Sequence, residues 1–258
     1  MKIGVQTFTI RKAQKRNLEA AYLPLIEMGI RDLEIARIKF DRKNALEVRR
    51  LMDAYGIRVA AIQAKPKDLH WHPQMLAEFC RITGCRNIVI SMLPFHCILG
   101  SEALFYRFVD KLDEWCETFR EQGITLSYHH HHWEYITLSN GKTRMEELLT
   151  RTKKLRFVHD TYWTASCGRD PAEQIRQFGS RLTGIHLRDL TYRKRGLDVL
   201  PVDTAPGQGL IDFRRVLEAA REVQCRYCAI EQKTDRPYED LKTGWEHCRQ
   251  IINQQEAL

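Results

Sequence analysis

Four glycines in the first half constrain this chain more than any other feature. Gly29, Gly56, Gly84 and Gly123 each end an amphipathic stretch, just before a short apolar, β-rich run. Glycine at such a place supplies the left-handed cap that lets a helix turn back. The runs are IGVQTF near the start, DLEIA from Asp32, RVAAIQ from Arg58, NIVISM from Asn87, ITLSYH from Ile124, LRFVHD from Leu155, LTGIHL from Leu182 and YCAIEQ from Tyr227. They lack a clean in–out alternation, as strands covered on both faces do. The stretches between them are helical. Leu18, Ala21, Tyr22, Leu25 and Ile26 share one face, and so do Phe105, Phe108, Val109, Leu112, Trp115, Cys116 and Phe119. Alternating strands and helices mean parallel pairing through right-handed crossovers. Eight such units in 258 residues have the size of a closed barrel. The expected fold is α/β, a single (β/α)8 TIM barrel, with residues 1–258 as one domain because no Pro/Gly/Ser-rich linker interrupts them. A doubly wound open sheet is the alternative, but its G-x-G-x-x-G fingerprint after the first strand is absent.

Composition narrows the function classes. With 43% hydrophobic and 29% charged residues the chain is neither disordered nor fibrous. No stretch reaches the roughly 18 apolar residues of a membrane span. The opening MKIGVQTFTIR has no apolar run followed by small residues, so no secretory leader is expected and the expected location is cytoplasmic. In that compartment the eight cysteines read as free buried thiols. Cys225 and Cys228 form a lone C-x-x-C, without the second pair a structural zinc site needs. The net charge is +8, but the basic residues are scattered as on solvated helix faces, which argues against a nucleic-acid partner.

In such barrels the chemistry sits at the C-terminal ends of the strands. The fifth run leads into Tyr128, His129, His130, His131, His132, Trp133 and Glu134; the sixth ends in His159 and Asp160. The seventh carries His186, then Arg188 and Asp189; the eighth ends in Glu231, then Gln232 and Lys233. Taken singly, the histidine run reads as a surface loop, Asp160 as a turn cap and His186 as a core histidine. Taken together they are carboxylates and imidazoles at equivalent places on one rim. Alternation sends His129 and His131 one way, His130 and His132 another. A divalent cation would offset the cost of burying these carboxylates, and a mixed Asp/Glu/His set suits Mn²⁺, Mg²⁺, Co²⁺ or Zn²⁺. After the seventh run, Arg188, Arg193, Lys194 and Arg195, with the amides of Gly207-Gln208-Gly209, offer a phosphate site. Trp71, Trp133 and Trp163, with His70, His72 and His96, fall in rim loops where rings suit sugar faces.

Several segments together resemble the xylose isomerase-like TIM barrel superfamily, and within it the sugar phosphate isomerase/epimerase group. They are IGVQTFTIR at the start, YHHHHWEY (Tyr128–Tyr135), HDTYW (His159–Trp163), GRDPAEQI (Gly168–Ile175), IHLRD (Ile185–Asp189), PGQGLIDF (Pro206–Phe213) and AIEQ (Ala229–Gln232). The resemblance implies a metal, Mn²⁺ by expectation, held by four ligands. Asp160, His186 and Glu231 match three of them. Many relatives have a Glu where this chain has His129, so Glu134 is expected as the fourth, with His129 and His131 facing substrate or metal. Trp163 replaces a His of some relatives, and with Arg188 and Lys233 it is expected to contact substrate. The implied chemistry is proton transfer beside a carbonyl through an enediolate, with Glu231 and either Glu134 or His131 moving the protons. That makes the expected protein an isomerase or epimerase of a small-molecule carbohydrate, a sugar, keto-sugar or sugar phosphate. The alternative is a lyase or dehydratase on a keto-sugar, keto-inositol or 3-keto-glycoside. An endonuclease on the same barrel would need more histidines than Gln6, Glu34 and Gln63 supply at the first three strands, and a non-catalytic sugar-binding subunit would not need Asp160, His186 and Glu231 intact. A second copy of the chain, as a homo-oligomer, is the other partner considered.

Overall fold

Every apolar run becomes a strand because its side chains find cover on both faces. NIVI and LTGIHL are buried at every position. The computed structural model describes residues 2–256. Its strands are β1 (Lys2–Gln6), β2 (Asp32–Ala36), β3 (Arg58–Ala64), β4 (Asn87–Ile90), β5 (Thr125–His129), β6 (Arg156–Asp160), β7 (Leu182–Leu187), β8 (Asp189–Arg195), β9 (Asp198–Thr204) and β10 (Tyr227–Ile230). β1 to β7 and β10 close into a barrel in the order β1-β10-β7-β6-β5-β4-β3-β2, all pairs parallel. Closure excludes the open sheet.

Helices surround the barrel, and their ends follow the sequence. Asp41 caps Arg42–Tyr55 by accepting from the Asn44 amide, and Gly56 closes the helix at φ +67°. The helix Glu102–Arg120 buries Phe105, Phe108, Val109, Leu112, Cys116 and Phe119. Trp115, expected on that buried face, is only partly buried and turns toward the barrel mouth. Inside the barrel, Ala61, Val89, Val158, Tyr227 and Ala229 form a small cluster of their own. Packing there is tight enough that a Cβ on Gly184 would lie 2.4 Å from the Tyr227 ring.

β8 and β9 were not foreseen. They pair antiparallel around Gly196 and Leu197, outside the barrel, with Asp189 opposite Thr204 and Arg195 opposite Asp198. The segment DLTYRKRGLDVLPVDT is mostly exposed, so it carries no buried stripe to announce it. Among the described residues no helix is long and apolar enough to cross a membrane. Seven of the eight cysteines are buried, and Cys167 is partly buried.

Candidate metal centre and its cavity

Register brings the rim residues together. Asp160 ends β6 and pairs with His186 on β7, while His186 in turn pairs with Ala229 on β10, two residues before Glu231. His129 ends β5 beside β6. Four side chains therefore converge from consecutive staves: His129, Asp160, His186 and Glu231 each present one ligand atom, all within 4.8 Å of one another. His129 Nε2 lies 3.3 Å from Asp160 Oδ2, and His186 Nδ1 lies 3.0 Å from Glu231 Oε2 and 4.0 Å from Asp160 Oδ2. All four are buried.

The donor set fits a divalent cation. His186 Nδ1 and Glu231 Oε2 are buried 3.0 Å apart as an ion pair, and neither atom makes a well-aligned hydrogen bond. Buried polar atoms left this way are rare, and an ion between them is one physical reason for it. The far side of each imidazole is fixed, as metal ligands require. His186 Nε2 donates to Glu34 Oε1 at 2.9 Å, and the Tyr227 hydroxyl holds the other Glu34 oxygen at 2.5 Å. His129 Nδ1 meets the Ser91 carbonyl at 3.2 Å. Both rings thus turn their remaining nitrogen inward. Asp160 divides its work: Oδ1 caps the next helix through the Trp163 amide at 3.0 Å, and Oδ2 joins the cluster.

A family model described as "Xylose isomerase-like TIM barrel" matches residues 23–253. The chain belongs to the xylose isomerase-like TIM barrel family. Two curated relatives are inosose dehydratases. The one from Geobacillus thermodenitrificans is 29% identical over 122 residues, covering 43% of this chain and 41% of the relative. The one from Geobacillus kaustophilus is 22% identical over 214 residues, covering 77% and 64%. The chain thus spans less than two thirds of either dehydratase. Among solved structures, a sugar phosphate isomerase/epimerase from Parabacteroides distasonis superposes with TM-score 0.77 at 17% identity, over 95% of this chain and 92% of that one. A xylose isomerase-like TIM barrel protein from Mycobacterium smegmatis in complex with magnesium gives 0.68 at 13% identity, over 90% and 87%. A 3-keto-D-glucoside 4-epimerase from E. coli gives 0.68 at 17%, over 97% and 99%. At these identities the structural likeness establishes the fold.

This family member departs from the sequence expectation at Glu134. Its carboxylate is fully buried, accepts from the Tyr128 hydroxyl and, at 2.7 Å, from the His131 amide. Both oxygens are engaged, and the residue neither joins the four-residue group nor lines the cavity. Burial pushes its pKa up to about 7 against those two donors. Glu134 holds the turn His132–Tyr135 in place, and the fourth position of the cluster goes to His129.

Through His129 and Glu231 the cluster meets a cavity of about 1500 Å³, on which His131, Trp163, Arg188 and Lys233 also open. His131 packs edge-on against His129, with ring centroids 4.7 Å apart, and against Trp163 at 5.3 Å. His130 turns away, to His159 at 3.1 Å and the Asp160 amide at 3.0 Å; burial and the nearby His129 lower its pKa to about 3, leaving it neutral. Arg188 bridges Asp160 Oδ2 at 3.1 Å and Asp203. Burial works against the charged form of Asp160, but Arg188 and His129 hold its pKa well below the usual range. Asp203, on β9, was missed along with its hairpin. It lines the cavity, and burial raises its pKa to about 6 despite Arg188.

Two other expectations move. The amides of Gly207 and Gly209 donate to Asp189 Oδ2 at 3.0 and 2.8 Å, and Arg193, Lys194 and Arg195 lie on the exposed hairpin away from the cavity wall. No phosphate cradle forms there. Trp71, Trp163, His70 and His96 line the cavity, whereas Trp133 and His72 do not.

Proposed function

We propose that this chain is a divalent-metal-dependent isomerase or epimerase of a sugar, keto-sugar or sugar phosphate, working by proton transfer through an enediolate. The observation that carries the reading is the convergence of His129, Asp160, His186 and Glu231, two of which, His129 and Glu231, line one cavity. These four would hold the cation, with Mn²⁺ as the expected ion. A cation there supplies Lewis-acid stabilisation of negative charge on a substrate oxygen.

The chain's own residues do the rest. Glu231 directs Oε2 at the cluster, while Oε1 lies 3.8 Å from Arg188 at the cavity wall. Oε1 takes the carbon-bound proton; burial disfavours the carboxylate form that the step needs, but His186 and then the Arg188 guanidinium outweigh it. His131, which burial keeps neutral, relays a proton to the neighbouring carbon or the opposite face, taking one at one ring nitrogen as it gives one from the other. Trp163 offers its ring to an apolar sugar face, and Arg188 and Lys233 orient substrate hydroxyls. Glu134 stays outside the chemistry and positions His131 through its amide.

A second reading rests on the two dehydratase relatives. The same first proton removal, followed by loss of a β-substituent, would make the chain a lyase on a keto-inositol or 3-keto-glycoside. Incubating the Mn²⁺-loaded protein in D₂O with ketoses, a keto-inositol and 3-keto-glycosides tests both. Deuterium at the carbon beside the carbonyl supports proton transfer, and an unsaturated product selects the lyase. Glu231→Gln is expected to slow exchange at least a thousandfold while the protein stays folded. A near-normal rate in that variant removes Glu231 from the mechanism, and no exchange with any substrate overturns the reading.

A further inference from the structure

The two halves of the cavity wall differ in charge. On the half next to the cluster, Arg188 and Lys233 balance the carboxylates Asp203 and Glu231. The facing half comes from the segments after β2 and β3 and from the helix Glu102–Arg120. It presents Arg37, Lys39, Lys65, Lys67, Arg107 and Lys111 against one carboxylate, Asp68. That carboxylate is already engaged by the Lys65 amide at 3.2 Å.

Of these bases Lys39 is paired, to Asp41 at 3.3 Å. On the outer helices Arg42, Arg50, Arg176 and Arg215 are each paired to a carboxylate. Lys65, Lys67, Arg107 and Lys111 line the cavity from exposed positions and have no ion pair among the described residues, although Asp110 and Glu114 share a helix with two of them. Arg107, Lys111 and Trp115 recur every four residues and so form one stripe facing the cavity. Arg37 sits at φ +63°, a conformation non-glycine residues hold when their surroundings impose it. A cleft lined by one sign of charge focuses its field on a ligand of the other sign. The cavity is also larger than the roughly 300–1000 Å³ of ordinary ligand pockets, so one sugar ring at the cluster would leave the basic half empty.

We infer that the basic half is an anion subsite, formed chiefly by Lys65, Lys67, Arg107 and Lys111, for a carboxylate or phosphate on a second portion of the substrate. This deepens the carbohydrate reading and rests on it for the reacting end. It also moves the anionic pole from the loop after β7, where sequence had suggested it, to the opposite wall.

Matched disaccharides test it: cellobiouronate against cellobiose for a carboxylate, and trehalose 6-phosphate against trehalose for a phosphate. Each is titrated calorimetrically into the Mn²⁺-loaded protein at 50 mM and 500 mM NaCl. At low salt at least one anionic sugar is expected to bind about tenfold tighter than its neutral partner, and the preference shrinks at high salt. In Arg107→Ala/Lys111→Ala the preference should fall about fivefold. The pair that shows it identifies the anion. Inorganic phosphate titrated into EDTA-treated protein reports on the basic half without metal, and Mn²⁺ titration reports on the cluster alone. Failure to bind Mn²⁺, with phosphate binding intact and weakened in the double variant, sinks the metal reading and leaves the anion subsite standing. Equal affinity within both pairs, a preference unchanged in the double variant, or no binding of sugar or phosphate up to 20 mM overturns it.

Discussion

Loading a divalent cation is expected to expel about one proton from His186. That imidazole lies between two carboxylates, with Nε2 2.9 Å from Glu34 Oε1 and Nδ1 3.0 Å from Glu231 Oε2. Burial alone would remove its charge, but the two carboxylates outweigh burial and push its pKa up to about 10. Without a cation it is an imidazolium at pH 7 and has no lone pair to offer, so coordination at Nδ1 must displace the proton. Three pKa units at about 1.36 kcal/mol each set the cost of that displacement on the order of 4 kcal/mol at pH 7. Proton and cation compete, so apparent affinity rises with pH, by about tenfold per unit from roughly pH 6.5 to 8.5, and levels off near 10. Calorimetric titration of Mn²⁺ into EDTA-stripped protein, in two buffers of different ionisation enthalpy, counts the protons released; a pH series gives the slope. Glu34→Gln removes one of the flanking charges. It should lower the proton count at pH 7 and, at pH 8.5, weaken the ion about 10–100-fold because the imidazole loses its charged backing. Tight Mn²⁺ binding with no buffer-dependent heat and no pH slope would refute the chain of reasoning, because His186 would then be neutral beforehand or outside the coordination.

Substitutions at three further residues probe the architecture of the centre. His129→Ala should reduce Mn²⁺ affinity by a hundredfold or more, while Glu134→Gln changes it less than threefold; the reverse ranking in equilibrium dialysis would return Glu134 to the cluster. Glu134→Ala leaves the buried Tyr128 hydroxyl and His131 amide without their acceptor, a loss of about 2–4 kcal/mol in urea denaturation, and a loss below 1 kcal/mol would contradict that role. Gly184→Ala drives a methyl group into the Tyr227 ring and should cost about 1–3 kcal/mol; because that hydroxyl braces Glu34, metal affinity should fall with it, and a variant as stable as the parent would show that the interior yields more easily than its spacing implies.

The barrel was legible because its signal is redundant. The eight apolar runs and the glycines that punctuate the first half all point the same way, and one misjudged boundary leaves the closed sheet intact. The hairpin of β8 and β9 was not legible, since DLTYRKRGLDVLPVDT buries little and leaves no periodic apolar trace. Asp203 was lost with it, although Gly196 between two β-prone polar runs was a turn signal in plain view. In the centre, Asp160, His186 and Glu231 could be named from their places at strand ends. Choosing between His129 and Glu134 could not be done by residue type, because a carboxylate is the better hard ligand and the choice turned on which oxygens were already engaged. Tyr128 and the His131 amide decide it locally. Glu34 shows the same limit from the other side. It stands on β2, 152 residues before His186, and only barrel closure places its carboxylate behind that imidazole. What a strand-end rule supplies is the inner ring of ligands; the groups that set their protonation come from staves across the barrel and depend on the register of the closed sheet. A change at Glu34, remote in sequence from every ligand, therefore alters the charge of the centre more directly than a change at Glu134, which stands five residues from His129.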